Sequence, residues 1–203
     1  IIVCNKNNIK ELKSKFSNAK FVIQSTQKGT AHAILTAKKY LANRNILILF
    51  GDVPLVTYAN IKKLINNFNK NHSRGSMIAF KTENPFGYGR VITKGNYVTS
   101  IVEELHTLKI QKKIKLCNSG IMICNSKLLF NYINKISNKN IKKEKYLPDI
   151  FQILHDIKKS FNYVLGSEEE MLGVNTIKDL IKIDQIFQKR IKDKVIDRGV
   201  IIQ

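Results

Sequence analysis

The apolar residues of this chain fall into two alternating rhythms. Short aliphatic runs at 1–4, 21–23 and 46–49 read as strands, since unbroken apolar sequence of that length suits a strand covered on both faces. Between them, Ile9, Leu12 and Phe16 mark one helix face, and residues 30–41 read as a helix with Ile34, Ala37 and Leu41 on one side. Ile61, Leu64, Ile65 and Phe68 then recur at the i, i+3, i+4, i+7 spacing of an amphipathic helix. Such alternation predicts an α/β architecture with a mostly parallel sheet, right-handed crossovers and a ligand crevice at the strand ends.

The second half changes character. Strands are predicted at 76–81, 116–124 and 161–165, and at 90–93 and 97–102 around Lys94-Gly95-Asn96, which has the composition of a hairpin turn. Helices are predicted at 128–136 and 147–157, and from 176 to about 194, where Ile177, Leu180, Ile181, Phe187 and Ile191 form one stripe. Gly199-Val200-Ile201-Ile202 starts an element that the chain does not finish. At 203 residues the length suits one sizeable domain. There is no internal repeat, and the only linker-like stretch, 138–145, is short and basic.

Charge changes this picture less than its size suggests. With 35 basic against 15 acidic residues the net charge is +20, a balance that ordinarily points to nucleic acid or an anionic membrane. Here the lysines are scattered over nearly every segment and accompany abundant Asn and Ile, as an AT-rich coding sequence produces. Aromatic residues are not interleaved with the basic ones as a single-strand binding surface requires, so solvated helix faces explain the lysines better. No specific nucleic acid and no membrane partner is expected. Cys4, Cys117 and Cys124 are odd in number, lack metal-ligand spacing and lie in apolar stretches, which reads as buried thiols in a reducing cytoplasm. His32, His72, His106 and His155 are isolated, and no apolar run approaches a membrane span. The chain begins without methionine, apparently inside a strand, and is expected to be a piece of a larger protein.

Candidate chemistry collects at predicted strand ends. Phe50-Gly51-Asp52-Val53-Pro54-Leu55 delivers one carboxylate to the lip of the sheet directly after the 46–49 run. That suits Mg²⁺, which takes hard oxygen ligands and relies on few protein carboxylates plus substrate phosphates, although an isolated Gly-Asp is more often a turn or helix cap. Gln24-Ser25-Thr26-Gln27-Lys28-Gly29-Thr30 joins a strand to a helix, so Gly29 can admit a ligand to the backbone, or the loop can simply carry a Thr N-cap. Asn84-Pro85-Phe86-Gly87-Tyr88-Gly89-Arg90 offers amides and a basic side chain for a sugar or phosphate, or a plain turn. Asn118-Ser119-Gly120 interrupts an apolar strand with hydrogen-bonding groups, and Asn175 is an N-cap or a metal-facing amide.

Together these segments resemble one family. Gln24, Gln27-Lys28-Gly29-Thr30-Ala31-His32-Ala33, Phe50-Gly51-Asp52-Val53-Pro54-Leu55, Gly87-Tyr88-Gly89-Arg90, Ile101-Val102-Glu103, Asn118-Ser119-Gly120-Ile121 and Gly173-Val174-Asn175 stand in the order and approximate spacing of the bifunctional N-acetylglucosamine-1-phosphate uridyltransferase/glucosamine-1-phosphate acetyltransferase family. The resemblance implies a Rossmann-like nucleotidyltransferase fold, the nucleotide-diphospho-sugar transferase fold, with a mixed, mostly parallel sheet flanked by helices. It also implies a Mg²⁺-dependent transfer of uridylyl from UTP to N-acetylglucosamine-1-phosphate in the cytoplasm, for a cell-wall precursor. By matched position, Gln24 and Gly29 contact uracil and Thr30 lies close to the nucleoside. Phe50, Gly51 and Asp52 line the nucleotide site, Asp52 and Asn175 hold the metal, and Gly89, Glu103 and Asn118 bind the N-acetylglucosamine moiety. Catalysis is then positioning and charge neutralisation, which needs no side-chain nucleophile.

The same resemblance divides the chain into a nucleotidyltransferase part, 1–176, truncated at its N-terminus, and a connecting part, 177–203. It places a glycine-rich signature with an arginine and a lysine before Ile1, and a trimer-forming acetyltransferase domain after Gln203, so the chain alone is expected to be incompetent for turnover. Phe50, Ala31, Leu105 and Pro148 depart from the family's usual tyrosine, glycine, lysine and threonine. The alternatives are a related sugar-phosphate nucleotidyltransferase using another sugar or nucleotide, and a non-catalytic sugar-nucleotide-binding module.

Overall fold

A computed structural model describes residues 1–70 and 74–201, so His72 and Ile202 lie outside the described residues. The chain runs β1 (Ile2–Cys4), α1 (Ile9–Lys15), β2 (Phe21–Ile23), α2 (Thr30–Thr36), α3 (Lys38–Leu41), β3 (Asn45–Ile48), α4 (Tyr58–Lys70) and β4 (Gly75–Lys81). It continues with β5 (Arg90–Lys94), β6 (Tyr97–Val102), β7 (Leu116–Asn125), α5 (Ser126–Tyr132), α6 (Asp149–Asp156), β8 (Asn162–Gly166) and α7 (Ile177–Ile196). Two expectations shift. The helix predicted over 30–41 breaks at Ala37, whose N–H bonds to Ile34 O while the Thr36 hydroxyl donates to Ala33 O at 2.6 Å, tightening and ending the turn. The helix predicted over 128–136 ends at Tyr132 in a further 3₁₀ turn.

β1 and β2 pair in parallel as a two-stranded sheet, and the other strands form a six-stranded sheet in the order β3-β7-β4-β8-β6-β5. The sheet is mixed, but "mostly parallel" needs correcting. Among the described residues β4–β8 is its one parallel pairing, whereas β3–β7, β4–β7, β5–β7, β5–β6 and β6–β8 are antiparallel. Strands β3, β4, β8 and β5 still run in one direction, because β7 and β6 are inserted between them head to tail. The Lys94-Gly95-Asn96 turn joins β5 to β6 as the sequence predicts.

Each central strand has apolar residues on both faces because helices cover both. On β4, Ile78 and Phe80 meet Leu64 and Phe68 of α4, together with Ile121 and Ile123 of β7. Met77 and Ala79 face the other way, into a core with Met122, Cys124, Leu129 of α5 and Phe151 and Leu154 of α6. Two registers of a period-two pattern thus feed two cores. α7 is tied on by buried Ile183 and by Arg190, which donates to Leu55 O at 3.0 Å and pairs with Glu169 at 2.7 Å. No helix among the described residues is long and apolar enough to cross a membrane. Cys117 and Cys124 are buried, which pushes their thiols up to about 11 and about 12, whereas Cys4 is only half-buried.

β7 carries the irregularity that matters for the site. Met77 faces Met122 but Ala79 faces Asn118, so two steps along β4 span four along β7. The extra residues are the polar interruption seen in the sequence. Buried Ser119 donates its hydroxyl to Ile78 O at 2.6 Å and accepts from Ile121 N–H at 3.1 Å, replacing the lost ladder bonds. Gly120 adopts φ +79°, and a Cβ there would lie 2.6 Å from the Phe50 ring. Gly120→Ala is therefore expected to lower the unfolding free energy by about 1–3 kcal/mol, measured by urea denaturation, through both backbone strain and the clash. Unchanged stability would show that neither constraint operates.

Candidate active site

The predicted site residues come from six separated segments, and main-chain hydrogen bonds draw them together. At one end of the site, the 24–30 loop connects β2 to α2. Gly29, at φ +94°, is the N-cap of α2, so Thr30 is the first helical residue rather than the cap. A Cβ at Gly29 would stand 2.5 Å from Lys145 O, because the 145–147 segment is laid against this turn. Lys145 N–H donates to Lys28 O at 2.9 Å, Ala31 N–H donates to Lys145 O at 3.0 Å, and Leu147 N–H donates to the Thr30 hydroxyl oxygen at 2.9 Å. Thr30 thus serves the scaffold. The Gln24 amide nitrogen lies 3.2 Å from Gly29 O and 2.9 Å from His32 Nδ1, a partner that reading His32 as isolated overlooked.

From the same clamp the site passes to Phe50 and Asn118. Leu147, Pro148 and Phe151 line a small cleft with Phe50, Asn118, Gly120 and Met122. Asn118 is held by its own N–H, which donates to Gly89 O at 2.9 Å, and its Oδ1 accepts from Gly120 N–H at the same distance. A Cβ at Gly89 would lie 3.5 Å from either Glu103 carboxylate oxygen, so Gly89, Asn118 and Glu103 are adjacent.

Phe50 also opens the turn that carries Gly51 and Asp52, closed by Val53 N–H to Phe50 O at 3.4 Å. Asp52 O accepts from Val174 N–H at 2.7 Å, which joins this turn to the 173–175 segment. A Cβ at Gly173 would lie 3.7 Å from both Asp52 O and Asn175 Nδ2. Asp52 and Asn175 are both exposed. Asn175 is not the N-cap of α7. Thr176 is, in a capping box with Asp179, and Asn175 contributes only its N–H, to Asp179 Oδ2 at 3.1 Å. The Asn175 side chain is released from helix duty.

Arg90 departs from expectation. It is 2 % exposed and does not reach out for a sugar or phosphate. Its guanidinium donates to the Tyr88 carbonyl and to Glu104 Oε2 at 2.6 Å, and Gly87 N–H reaches the same oxygen at 3.2 Å. A buried arginine needs such a counterion, and the pair fixes the 87–90 turn.

Sequence reasoning missed the far wall of the end formed by Gly89 and Glu103. Glu103 borders a cavity of about 310 Å³ with Tyr146, Asp149, His106 and Lys139. Asp149 begins α6, a position that reads from sequence as an acidic first turn and nothing more. Burial raises the Glu103 carboxyl above its ordinary 4.5 and the negative charge of Asp149 adds to this, while His106 and Lys142 partly offset it. Burial likewise raises Asp149, against His106. Two carboxyls sharing one cavity are thus both easier to protonate than in water.

This has a measurable sign. An acid whose folded pKa is raised binds more protons in the folded state, so its contribution is intact below 4.5 and is lost as pH rises through the raised value. Glu103→Gln removes that loss. The variant should gain stability relative to the parent as pH climbs from 4.5 toward neutrality, read from urea midpoints across pH. A difference independent of pH would contradict the assignment.

Residues 1–189 match the nucleotidyl transferase family. The chain is 40% identical over 186 residues to the bifunctional protein GlmU of Buchnera aphidicola from Acyrthosiphon pisum, covering 90% of this chain and 40% of that protein. The counterpart from the Schizaphis graminum strain is 39% identical over 208 residues, covering 100% and 44%, and that of Clostridium tetani 34% over 205 residues, covering 100% and 45%. The chain therefore spans less than half the length of these curated relatives. A solved structure from Bacillus anthracis, assigned as a glucose-1-phosphate thymidylyltransferase and bound to sucrose, superimposes with TM-score 0.68 at 16% identity, covering 91% of this chain and 74% of its own, and so shares the fold. The chain belongs to the nucleotidyl transferase family.

Proposed function

We propose that this chain carries the uridylyl-transfer site of an enzyme that joins UTP and N-acetylglucosamine-1-phosphate into UDP-N-acetylglucosamine and pyrophosphate. The observation that carries the reading is the continuous edge from Gln24 and Gly29, through Phe50 and Asn118, to Gly89 and Glu103, with Asp52 and Asn175 beside Phe50. It offers one end to a base, the other to a sugar, and a carboxylate between. The similarity to GlmU proteins supports the same assignment.

In this reading a phosphate oxygen of the sugar phosphate attacks the α-phosphorus of UTP. A new O–P bond forms while the bond from the α-phosphorus to the β-phosphate oxygen breaks, and pyrophosphate leaves with that electron pair. Gln24 and Gly29 orient the base, while Gly89, Asn118 and Glu103 orient the acceptor sugar. The gain comes from holding two anions in line, so the main-chain bonds that fix these segments serve catalysis through positioning.

The residues at Asp52 and Asn175 fit a hard divalent cation. They are exposed oxygen donors on two segments joined by the Val174 to Asp52 bond. No group of three or more His, Cys, Asp or Glu among the described residues forms an all-protein cage, which suits Mg²⁺, an ion that completes its shell with water and substrate phosphates. When bound there, Mg²⁺ would neutralise charge on the phosphates.

Asp52→Asn is the test. Pyrophosphate release from UTP and N-acetylglucosamine-1-phosphate, assayed with Mg²⁺ in the full natural gene product, should fall about 100-fold or more, with the far-ultraviolet circular dichroism unchanged. Turnover within a few-fold of the parent would sink the metal assignment.

A further inference from the structure

His32 makes a contact that the site as described so far does not use. It lies in the first turn of α2, facing Gln24 across the loop that follows β2. Amide orientation and imidazole tautomer are read from the hydrogen-bond network, and here the network leaves one solution. The Gly29 carbonyl, 3.2 Å from Gln24 Nε2, can only accept, so the nitrogen of the Gln24 amide must face inward. Its second proton is directed at His32 Nδ1, 2.9 Å away. Nδ1 must then be an acceptor, which leaves the imidazole proton on Nε2.

Both amide protons of Gln24 are thereby consumed inside the protein. Its Oε1 makes no hydrogen bond among the described residues and is not sealed from solvent. We propose that His32 is a positioning residue that locks the Gln24 amide with Oε1 outward, so that the site selects uracil, whose N3–H donates, over cytosine, whose N3 only accepts. The inference rests on the reading of residues 24–30 as the nucleobase end. The discrimination comes from polar mismatch. A cytosine N3 facing a fixed Oε1 leaves two acceptors opposed and unpaired, a kind of rejection stronger than shape alone supplies. Without His32 one amide proton loses its partner and only the longer contact to Gly29 O, at 3.2 Å, still holds the amide, so the lock weakens and Nε2 can turn toward cytosine N3.

The test is the ratio of UTP to CTP dissociation constants, by calorimetry, for the parent, His32→Leu and His32→Asn. A general loss of structure weakens both nucleotides alike and leaves the ratio unmoved. The parent should prefer UTP, His32→Leu should reduce that preference about tenfold, and His32→Asn, whose Oδ1 can accept in place of Nδ1, should recover most of it. A parent that binds the two equally, or binds neither, overturns the nucleobase reading and this inference with it. A parent preference that survives unchanged in His32→Leu overturns the inference alone. A second measurement needs no variant: long-range ¹H–¹⁵N spectra of the neutral imidazole should show Nδ1 unprotonated, and a proton on Nδ1 would refute the lock.

Discussion

The site edge depends on one interruption, the bulge at Asn118-Ser119-Gly120 in β7. β7 is the strand that pairs with β3, β4 and β5, so any change in its register is felt across the sheet. An apolar residue at 119 would leave Ile78 O and Ile121 N–H without the hydroxyl that now serves both. The bulge turns the Asn118 amide toward Gly120 N–H and strips position 120 of a side chain, and Phe50 occupies the space. From Phe50 the chain makes the turn that presents Asp52. A hydroxyl–carbonyl bond in the core therefore sets where the exposed carboxylate stands.

The rest of the edge is built in the same currency of main-chain bonds. Val174 to Asp52, Asn118 to Gly89 and Ala31 to Lys145 are all backbone contacts between segments far apart in sequence. Such bonds hold geometry without specifying side chains, so departures such as Phe50, Ala31 and Pro148 can coexist with an intact frame. For the proposed transfer from a nucleoside triphosphate to a sugar phosphate that division suits the chemistry, since orientation lowers the barrier without a side-chain nucleophile.

The sequence made the individual elements legible because burial is legible. β4, buried along nearly its whole length, and α4, with its apolar stripe, stand where periodicity places them. Pairing direction was less legible. An apolar run reports that both faces are covered, which a parallel sheet under helices and a mixed sheet under helices satisfy equally, so β7 and β6 were not recognisable as the inverted strands. In the site, glycine and polar residues at strand ends were visible because they break apolar runs. Arg90 was misread because sequence shows its charge and not the Glu104 carboxylate waiting inside the fold. Asp149 and His32 were missed because their partners, Glu103 and Gln24, come from other elements.

The large positive charge stands apart from this machinery. Lys20 and Lys39 lie over the Tyr40 ring, Lys38 over Phe130, and Lys135 and Lys159 over Tyr132, at 4.3 to 5.6 Å from the ring centroids. Each ammonium thus rests on an aromatic face that stacking with a nucleobase would require free. The cavity beside Glu103 instead sets two burial-raised carboxyls beside Lys139 and His106. A field spread evenly over the surface attracts any polyanion weakly, whereas groups fixed at hydrogen-bonding distance discriminate between ligands. In the proposed function, selectivity rests on the few, well-held polar residues rather than on the many lysines.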